Sequence, residues 1–334
     1  MSNPIPPSSQ LARGYTIAVI AAAILSTTAI FIRYLTQTYQ LPALVLAFWR
    51  DGLVAVTLLI VLAALRPSRL RVRRSDVRFF IGYGLVLAVF NSLWTLSVAL
   101  NGAAVSTVLA YCSAGFTALL GRWFLNERLD WAKWLAVALS LAGCVLVSGA
   151  LDPAAWQSNL TGILTGIISG LLYAIYTLLG RSGAQRGLNA WTTILYTFGI
   201  ASIFLLMFNL LPGGRLPGTV ANPIDFFWLK DAWLGWLALI ALAAGPTMIG
   251  FGLYNMSLIY LPSSVANLIL TLEPAFTAAI AYALLGERLT LVQIVGSGLI
   301  LTGVIFLRIH EGRVGDVELR MSDAGLRADA GIRD

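Results

Sequence analysis

The chain has 334 residues, of which 58% are hydrophobic and only 11% charged, and its mean hydropathy is +0.83. This composition excludes an ordinary soluble domain and is typical of a protein that crosses a membrane many times. The net charge of +7 comes from basic residues interleaved between apolar segments. Positively charged cytoplasmic loops explain that charge without a nucleic-acid partner.

Ten apolar segments are long enough to cross a bilayer, because about 20 helical residues span its hydrocarbon core. We therefore predict an all-α integral membrane protein with ten transmembrane helices. The predicted spans are 15–36, 43–65, 77–100, 104–125, 131–150, 160–181, 189–211, 232–258, 262–285 and 290–309. The alternative is nine spans, with 232–258 misread. Residues 1–14 form a predicted cytoplasmic leader, disordered up to residue 13, and 310–334 a disordered cytoplasmic tail.

The distribution of basic residues predicts the orientation. With both termini in the cytoplasm, 17 of the 22 Lys and Arg lie on the inner side or at inner helix ends. The largest inner group is six arginines between residues 66 and 78. Such an excess of Lys and Arg marks cytoplasmic loops, and two cytoplasmic termini require an even number of spans.

The sequence also contains an internal repeat. Residues 103–129 align with 263–289 without a gap, and eight of these 27 positions are identical. About three identities are expected for two unrelated apolar segments. The first and sixth spans align as well, at an offset of 148. We predict that 15–150 and 151–309 are two five-helix repeats, which enter the membrane in opposite orientations because five is odd. Inverted repeats are typical of alternating-access carriers.

The ninth predicted span is interrupted at half depth by Glu273 and Pro274. Proline has no N–H for the carbonyl four residues back, so Leu270 is expected to lose its helical hydrogen bond. A freed carbonyl and an ionisable side chain are tolerated at that depth only inside a protein or beside a water-filled cavity. The pair is interpreted either as a substrate or proton site or as a structural hinge.

Residues 272–307 read LEPAFTAAIAYALLGERLTLVQIVGSGLILTGVIFL. This stretch resembles the C-terminal signature of the drug/metabolite transporter superfamily, EamA type. The resemblance implies ten helices in two inverted five-helix repeats, a bacterial inner-membrane location and export of small metabolites. Where the family has a proline in the first repeat, this chain has Ala114, so a mid-helix break is expected only in the second half. The aromatic-rich helices and the lack of membrane acids look most like the family's aromatic amino acid exporters.

Candidate substrate-binding residues are polar or aromatic side chains near half depth, where such a carrier holds its substrate. They are Asn91, Trp94, Tyr111, Ser113, Tyr173, Tyr176, Asn255, Asn267 and Glu273. Amides and hydroxyls can bind an amino group and a carboxylate, and aromatic faces can hold an apolar side chain. The predicted substrates are therefore amino acids, aromatic or otherwise neutral. The alternative is that these residues are interfacial anchors or bridges between helices.

Other polar and small residues are interpreted as structural. Arg50 and Asp51 are predicted to form a buried ion pair that orders the bundle. Three glycines at four-residue spacing are predicted to allow close helix packing; they are Gly162, Gly166 and Gly170. The Glu-Arg-Leu sequences that end both aligned segments are predicted to be helix caps or gate contacts.

No catalytic residue, metal ligand or cofactor is predicted. No predicted span contains a histidine, and Cys112 and Cys144 lack a C-x-x-C neighbour. These features argue against a membrane-embedded enzyme, and the inverted repeat argues against a channel. We expect a carrier that works as a monomer, with the lipid bilayer and a small-molecule substrate as its partners. Proton antiport and facilitated efflux both remain open as energy-coupling schemes.

Overall fold

The structure is a computed structural model that describes residues 8–127, 129–147, 153, 160–210, 218–220, 222–285, 290–307 and 309–310. These residues form α-helices joined by short connections, with 3₁₀ turns at Pro67–Leu70 and Pro223–Phe227. The α-helices are α1 (Ser8–Leu25), α2 (Thr28–Thr38), α3 (Ala43–Leu65), α4 (Arg74–Tyr111), α5 (Ser113–Phe124), α6 (Trp131–Val147), α7 (Leu160–Gln185), α8 (Ala190–Leu210), α9 (Trp233–Leu242), α10 (Phe251–Tyr260), α11 (Ser263–Leu270), α12 (Glu273–Leu285) and α13 (Leu291–Leu307).

Several helical segments are long and apolar enough to cross a membrane. Six meet this criterion within the described residues: Ser9–Thr36, Ala43–Leu65, Arg74–Ser97, Leu160–Gln185, Ala190–Leu210 and Trp233–Tyr260. Large apolar side chains point outward from the bundle, as in a surface solvated by lipid; Leu65 and Leu291 are 72% and 81% exposed. The prediction of an all-helical integral membrane protein is confirmed, while the count of ten spans stays a prediction.

The eighth predicted span is one helical segment, Trp233–Tyr260. It contains Pro246, and residues Ala243–Gly250 around that proline adopt π-helical geometry. A π-helix widens the turn, which accommodates a residue that lacks an N–H and crowds the preceding carbonyl. The segment is therefore long enough to cross the bilayer despite its proline, which argues against the nine-span alternative.

Two details near the N-terminus differ from the prediction. The expected disordered leader is wrong for residues 8–13, because α1 already begins at Ser8; residues 1–7 lie outside the described part, as do 311–334 of the predicted tail. The first predicted span is interrupted at Ser26 and Thr27, whose hydroxyls donate to Ala23 O (2.6 Å) and Ile24 O (2.7 Å). Such hydroxyl-to-backbone bonds compete with the helical ladder and end α1 there.

The third and fourth predicted spans both lie within α4, and the chain changes direction between them. A Cβ placed on Gly166 would lie 2.7 Å from Ser97 Oγ and 2.6 Å from Leu109 Cδ1, so those two side chains are neighbours. In a straight helix, the Cα atoms of residues 12 apart are separated by about 18 Å. The chain must therefore fold back between Ser97 and Leu109.

A mid-helix break occurs in both halves of the chain, so the expectation of a break only in the second half is wrong. α5 begins at Ser113 after a turn at Cys112, and α12 begins at Glu273 after a turn at Thr271 and Leu272. In each turn an N–H bonds to the carbonyl three residues back: Cys112 N to Leu109 O (3.3 Å) and Leu272 N to Ile269 O (3.1 Å). At Cys112 this tightened turn forms although the chain has no proline there.

The two halves are interleaved. The most extensive contacts between helices pair α4 with α7, α3 with α8, α4 with α8 and α1 with α10. Each of these pairs joins a helix of the first half to a helix of the second. Gly166 and Gly170 confirm the prediction of close packing: added Cβ atoms would lie 2.6 Å from Leu109 Cδ1 and 2.8 Å from Leu109 O. Small residues let these backbones approach where no water drives association.

Helices α6 and α13 occupy equivalent positions in the repeat, since both ends of α6 align with the ends of α13 at the offset of 160. They cross at two glycines. A Cβ on Gly143 would lie 2.5 Å from Gly296 O, and one on Gly303 would lie 2.9 Å from Ala136 O. Because residue numbers rise along one helix as they fall along the other, the two helices are antiparallel. This arrangement supports the predicted inversion of the halves, which as a whole stays a prediction.

We expect Gly143→Val to lower the melting temperature of the purified protein in detergent, because the added side chain meets backbone atoms that cannot rotate away. Overpacking of this kind costs about 1–3 kcal/mol. Gly298→Val on α13 is the matched control, since a Cβ at Gly298 meets nothing within 4 Å. Equal melting temperatures for the two variants would contradict the proposed close contact.

Candidate functional site

A hydrogen-bonded network of polar side chains lies where α5, α7, α10 and α11 meet. Ser113 Oγ donates to Asn267 Oδ1 (3.1 Å), and Asn267 Nδ2 donates to Thr177 Oγ1 (3.1 Å). Thr177 Oγ1 donates in turn to Tyr173 O (2.9 Å) and lies 2.8 Å from Tyr254 OH. Because the single threonine proton is used on Tyr173 O, the Tyr254 hydroxyl must donate to Thr177. Each of the four side chains in this network thus has a partner, as burial in a membrane interior requires.

A second group of polar contacts surrounds Asn255 on α10. The Tyr83 hydroxyl donates to Asn255 Oδ1 (3.3 Å), while Asn255 Nδ2 lies 3.1 Å from Tyr176 OH and 3.0 Å from Phe251 O. Tyr83 belongs to the first half and Asn255 to the second. This contact, like the one between Ser113 and Asn267, therefore joins the two halves.

Aromatic rings form a continuous column beside these contacts. Phe90 and Tyr173 stack with ring centroids 5.0 Å apart, Tyr173 and Tyr176 follow at 6.1 Å, and Tyr176 meets Tyr83 at 4.8 Å. Adjacent rings at these distances attract each other, and a tyrosine face can also hold a cation or an apolar side chain. The column runs along the facing sides of α4 and α7.

Glu273 faces the interior of the bundle. Its carboxyl lies within hydrogen-bonding reach of the Tyr111 side chain and close enough to Tyr173, Tyr254 and Cys144 to interact electrostatically. Tyr111 itself is buried, with 7% of its surface exposed, whereas Glu273 is only partly buried. An acid that is flanked by interior side chains but retains accessible surface is suited to meeting a ligand.

The predicted ion pair between Arg50 and Asp51 is present and fully inside the protein. Arg50 Nε lies 3.0 Å from Asp51 Oδ1, and Asn91 Nδ2 donates to Asp51 Oδ2 (2.7 Å). The pair thereby fixes α3 against α4. Asn91 is engaged by Asp51 and stands apart from the network around Asn267, while Trp94, one turn further, packs at the junction of the two apolar clusters of the bundle.

The structure brings seven of the nine predicted site residues into the two polar groups, the ring column and the Glu273 contact. They are Tyr111, Ser113, Tyr173, Tyr176, Asn255, Asn267 and Glu273. Asn91 and Trp94 adjoin this region through Phe90, which neighbours Asn91 in sequence and stacks on Tyr173.

The sequence analysis missed Thr177 and Tyr83. Thr177 follows Tyr173 by four residues, so it shares that residue's helical face, and this spacing was the available signal.

The sequence of the chain matches one family of known proteins. The sequence model of the EamA-like transporter family matches residues 12–149 and, separately, residues 160–309. The chain belongs to this family. Two matches in one chain give independent support for the duplication seen in the sequence. The protein is thus a multi-pass membrane transporter.

Individual relatives agree with this assignment. An uncharacterized transporter of Archaeoglobus fulgidus is 30% identical over 299 residues, covering 87% of this chain and 95% of that protein. The threonine/homoserine exporter RhtA of Escherichia coli K12 is 25% identical over 252 residues, covering 74% and 77% of the two chains. A crystal structure with 17% sequence identity superposes with a TM-score of 0.70 over 90% of this chain and 98% of the other. The superposition shows a shared fold, and the two named relatives are described as a transporter and an exporter.

We expect Asp51→Ala to destabilise the protein by about 3–5 kcal/mol, because it leaves the Arg50 guanidinium buried without a counter-charge. The double variant Arg50→Met, Asp51→Leu removes both charges and should recover most of that loss. Thermal melting of both variants in detergent measures the difference. If the double variant were as unstable as the single one, the unpaired charge of Arg50 would not be the cause of the destabilisation.

Proposed function

We propose that the protein exports amino acids from the cytoplasm by alternating access, with aromatic and other neutral amino acids as substrates, threonine and methionine included. The observation that carries this proposal is the Glu273 carboxyl, which faces the bundle interior beside Tyr111 and Tyr173. Membership in a transporter family and the similarity to proteins named threonine/homoserine exporters support it.

The chemistry of the region fits a zwitterion with an uncharged side chain. The Glu273 carboxylate can pair with the substrate ammonium group, and charge-assisted contacts of this kind are the strong ones in a poorly hydrated site. Hydroxyl and amide donors that exchange their present partners for substrate can bind the substrate carboxylate. They are Ser113, Asn255, Asn267 and Asn91, the last of which would first have to leave Asp51. The rings of Trp94, Tyr173 and Tyr176 can hold an aromatic or apolar side chain.

The membrane arrangement that we propose has both termini in the cytoplasm of a bacterial inner membrane and one chain as the functional unit. The six arginines between residues 66 and 78 favour this orientation. In it, Glu127 and Ser263 lie at the cytoplasmic end of the bundle. Substrate would enter from that end and leave at the other, with the duplicated halves exchanging conformations.

An alternative is a proton-coupled exporter of other small metabolites or drugs. The same Glu273 favours it, because an interior acid can carry a proton in exchange for substrate. Asp51 is a poorer candidate for that role, since Arg50 and Asn91 already engage both of its oxygens.

Efflux from liposomes tests the proposal. Purified protein is reconstituted, the vesicles are loaded with one radiolabelled amino acid at a time, and release is compared with protein-free vesicles. We expect saturable release of threonine, methionine and aromatic amino acids that external substrate accelerates. Release at the protein-free rate for every amino acid would refute amino-acid export, and release that follows an imposed proton gradient would favour the alternative.

We expect Glu273→Gln to lower the kcat/KM of efflux by about 10–150-fold, which corresponds to the loss of one hydrogen bond to a charged group, about 1.5–3 kcal/mol. The glutamine keeps the size of the side chain and its contact with Tyr111. Ser202→Ala is the control, because the Ser202 hydroxyl bonds to Gly199 O of its own helix (2.8 Å). Wild-type efflux in the Glu273→Gln variant would exclude the carboxylate from substrate binding.

A further inference from the structure

One carboxylate joins the two halves at the end of the bundle that is predicted to face the cytoplasm. Glu127 follows α5 in the first half, and α11 begins at Ser263 in the second. Glu127 Oε1 accepts from Ser263 N (2.6 Å) and Ser263 Oγ (2.7 Å), and Oε2 accepts from Ser264 N (3.2 Å) and Ser264 Oγ (2.8 Å). Both carboxylate oxygens are thus held by the first turn of a helix from the other half.

Neighbouring residues leave space for this contact and add others beside it. Gly121 leaves room for the carboxylate, since an added Cβ would lie 2.9 Å from Glu127 Oε2 and 3.2 Å from Ser263 Oγ. Two further interactions lie at the same end. Arg181 Nη1 donates to Leu258 O and Ile259 O in the last turn of α10. Arg13 lies over the Tyr260 ring, 5.2 Å from its centroid.

The contact of Glu127 with Ser263 and Ser264 is stabilising, yet it remains accessible to water. A negative charge at a helix N-terminus is stabilised by the free N–H groups and by the helix dipole. Glu127 is only partly buried, however, so water can replace the four donors when this end of the bundle opens. A fully buried carboxylate would not be exchangeable in this way.

The serine hydroxyls belong to one end of the molecule only. At the offset of 160, Ser263 and Ser264 correspond to Ala103 and Ala104. The repeat preserves the glutamate, since Glu287 corresponds to Glu127. The first half, however, has no serine hydroxyls at the positions equivalent to the two donors. The duplication has diverged at the residues that determine how firmly this end is closed.

We propose that Glu127, Ser263 and Ser264 form a latch that keeps the cytoplasmic end closed in the resting carrier, and that release of this latch is the step that opens the binding region to the cytoplasm. The inference rests on the alternating access proposed above but not on the identity of the substrate. It goes beyond helix capping, because the cap is supplied by the opposite half.

Distance measurements between spin labels test the latch. Labels are attached to Arg122→Cys and Ile259→Cys, two exposed positions on opposite halves near the contact, in a background where Cys112 and Cys144 are alanine. In lipid nanodiscs we expect one short separation for the otherwise unmodified protein. The Ser263→Ala, Ser264→Ala variant should add a longer separation, with the opening equilibrium constant raised about tenfold or more. Glu127→Gln should shift the distribution further in the same direction.

Thr290→Ala is the matched control. Thr290 Oγ1 accepts from Gln293 N (3.2 Å) at the start of α13, so this substitution removes a cap that lies within one helix and joins no halves. It should lower the melting temperature without changing the distance distribution. If the latch variants behave in the same way, the contact is only a helix cap and the proposal is wrong.

The distances also separate this inference from the proposed function. A wild-type distribution dominated by the longer separation would overturn the latch, whatever the liposomes release. A longer separation in the latch variants, together with no release of any amino acid, would leave the latch standing and refute amino-acid export.

Discussion

Inside a bilayer a polar group has no water to bond, so every such group must find its partner within the protein. This constraint explains where the two halves of the transporter touch. Ser113 bonds to Asn267 across the halves, Tyr83 bonds to Asn255, and Glu127 bonds to Ser263 and Ser264. The apolar surfaces that the bilayer itself can solvate are left on the outside. The interface between the halves is consequently rich in contacts that can be exchanged one for another.

Close helix packing supplies the complementary, permanent contacts. Gly143 and Gly303 bring α6 and α13 together backbone to backbone, and Gly166 and Gly170 do the same for α7 and α4. Backbones packed this closely have little freedom to shift, because packed interiors deform little. Hydrogen bonds, in contrast, can be exchanged for bonds to other partners. The two kinds of interface therefore suit different roles in a transport cycle.

Much of this arrangement could be predicted from the sequence, and the failures have physical causes. Hydropathy located the long apolar helices, because it depends on residues close together in the chain. The repeat singled out Glu127 as a helix cap or gate contact, but it could not show that the helix this residue caps begins 136 positions later, in the other half. Ser26 and Thr27 end α1 through hydroxyl bonds that an apolar window does not register. The turn at Cys112 was missed because it needs no proline, only a tightened hydrogen bond. Asn91 was assigned to the substrate region from its depth, and its bond to Asp51 could not be foreseen because the two residues are 40 positions apart.

The network around Thr177 sets a condition on any transport cycle. Ser113, Asn267, Thr177 and Tyr254 satisfy one another in the present conformation, and breaking one bond in a poorly hydrated region leaves two unpaired groups at a cost of about 1–3 kcal/mol each. A substrate that carries both donors and acceptors can replace the lost partners, whereas a purely apolar molecule cannot. The same bonds that close the bundle therefore favour opening around a polar ligand over opening around an apolar one. In the site that we propose, the polar part that all amino acids share would replace these bonds, and the stacked tyrosines would contact the variable side chain.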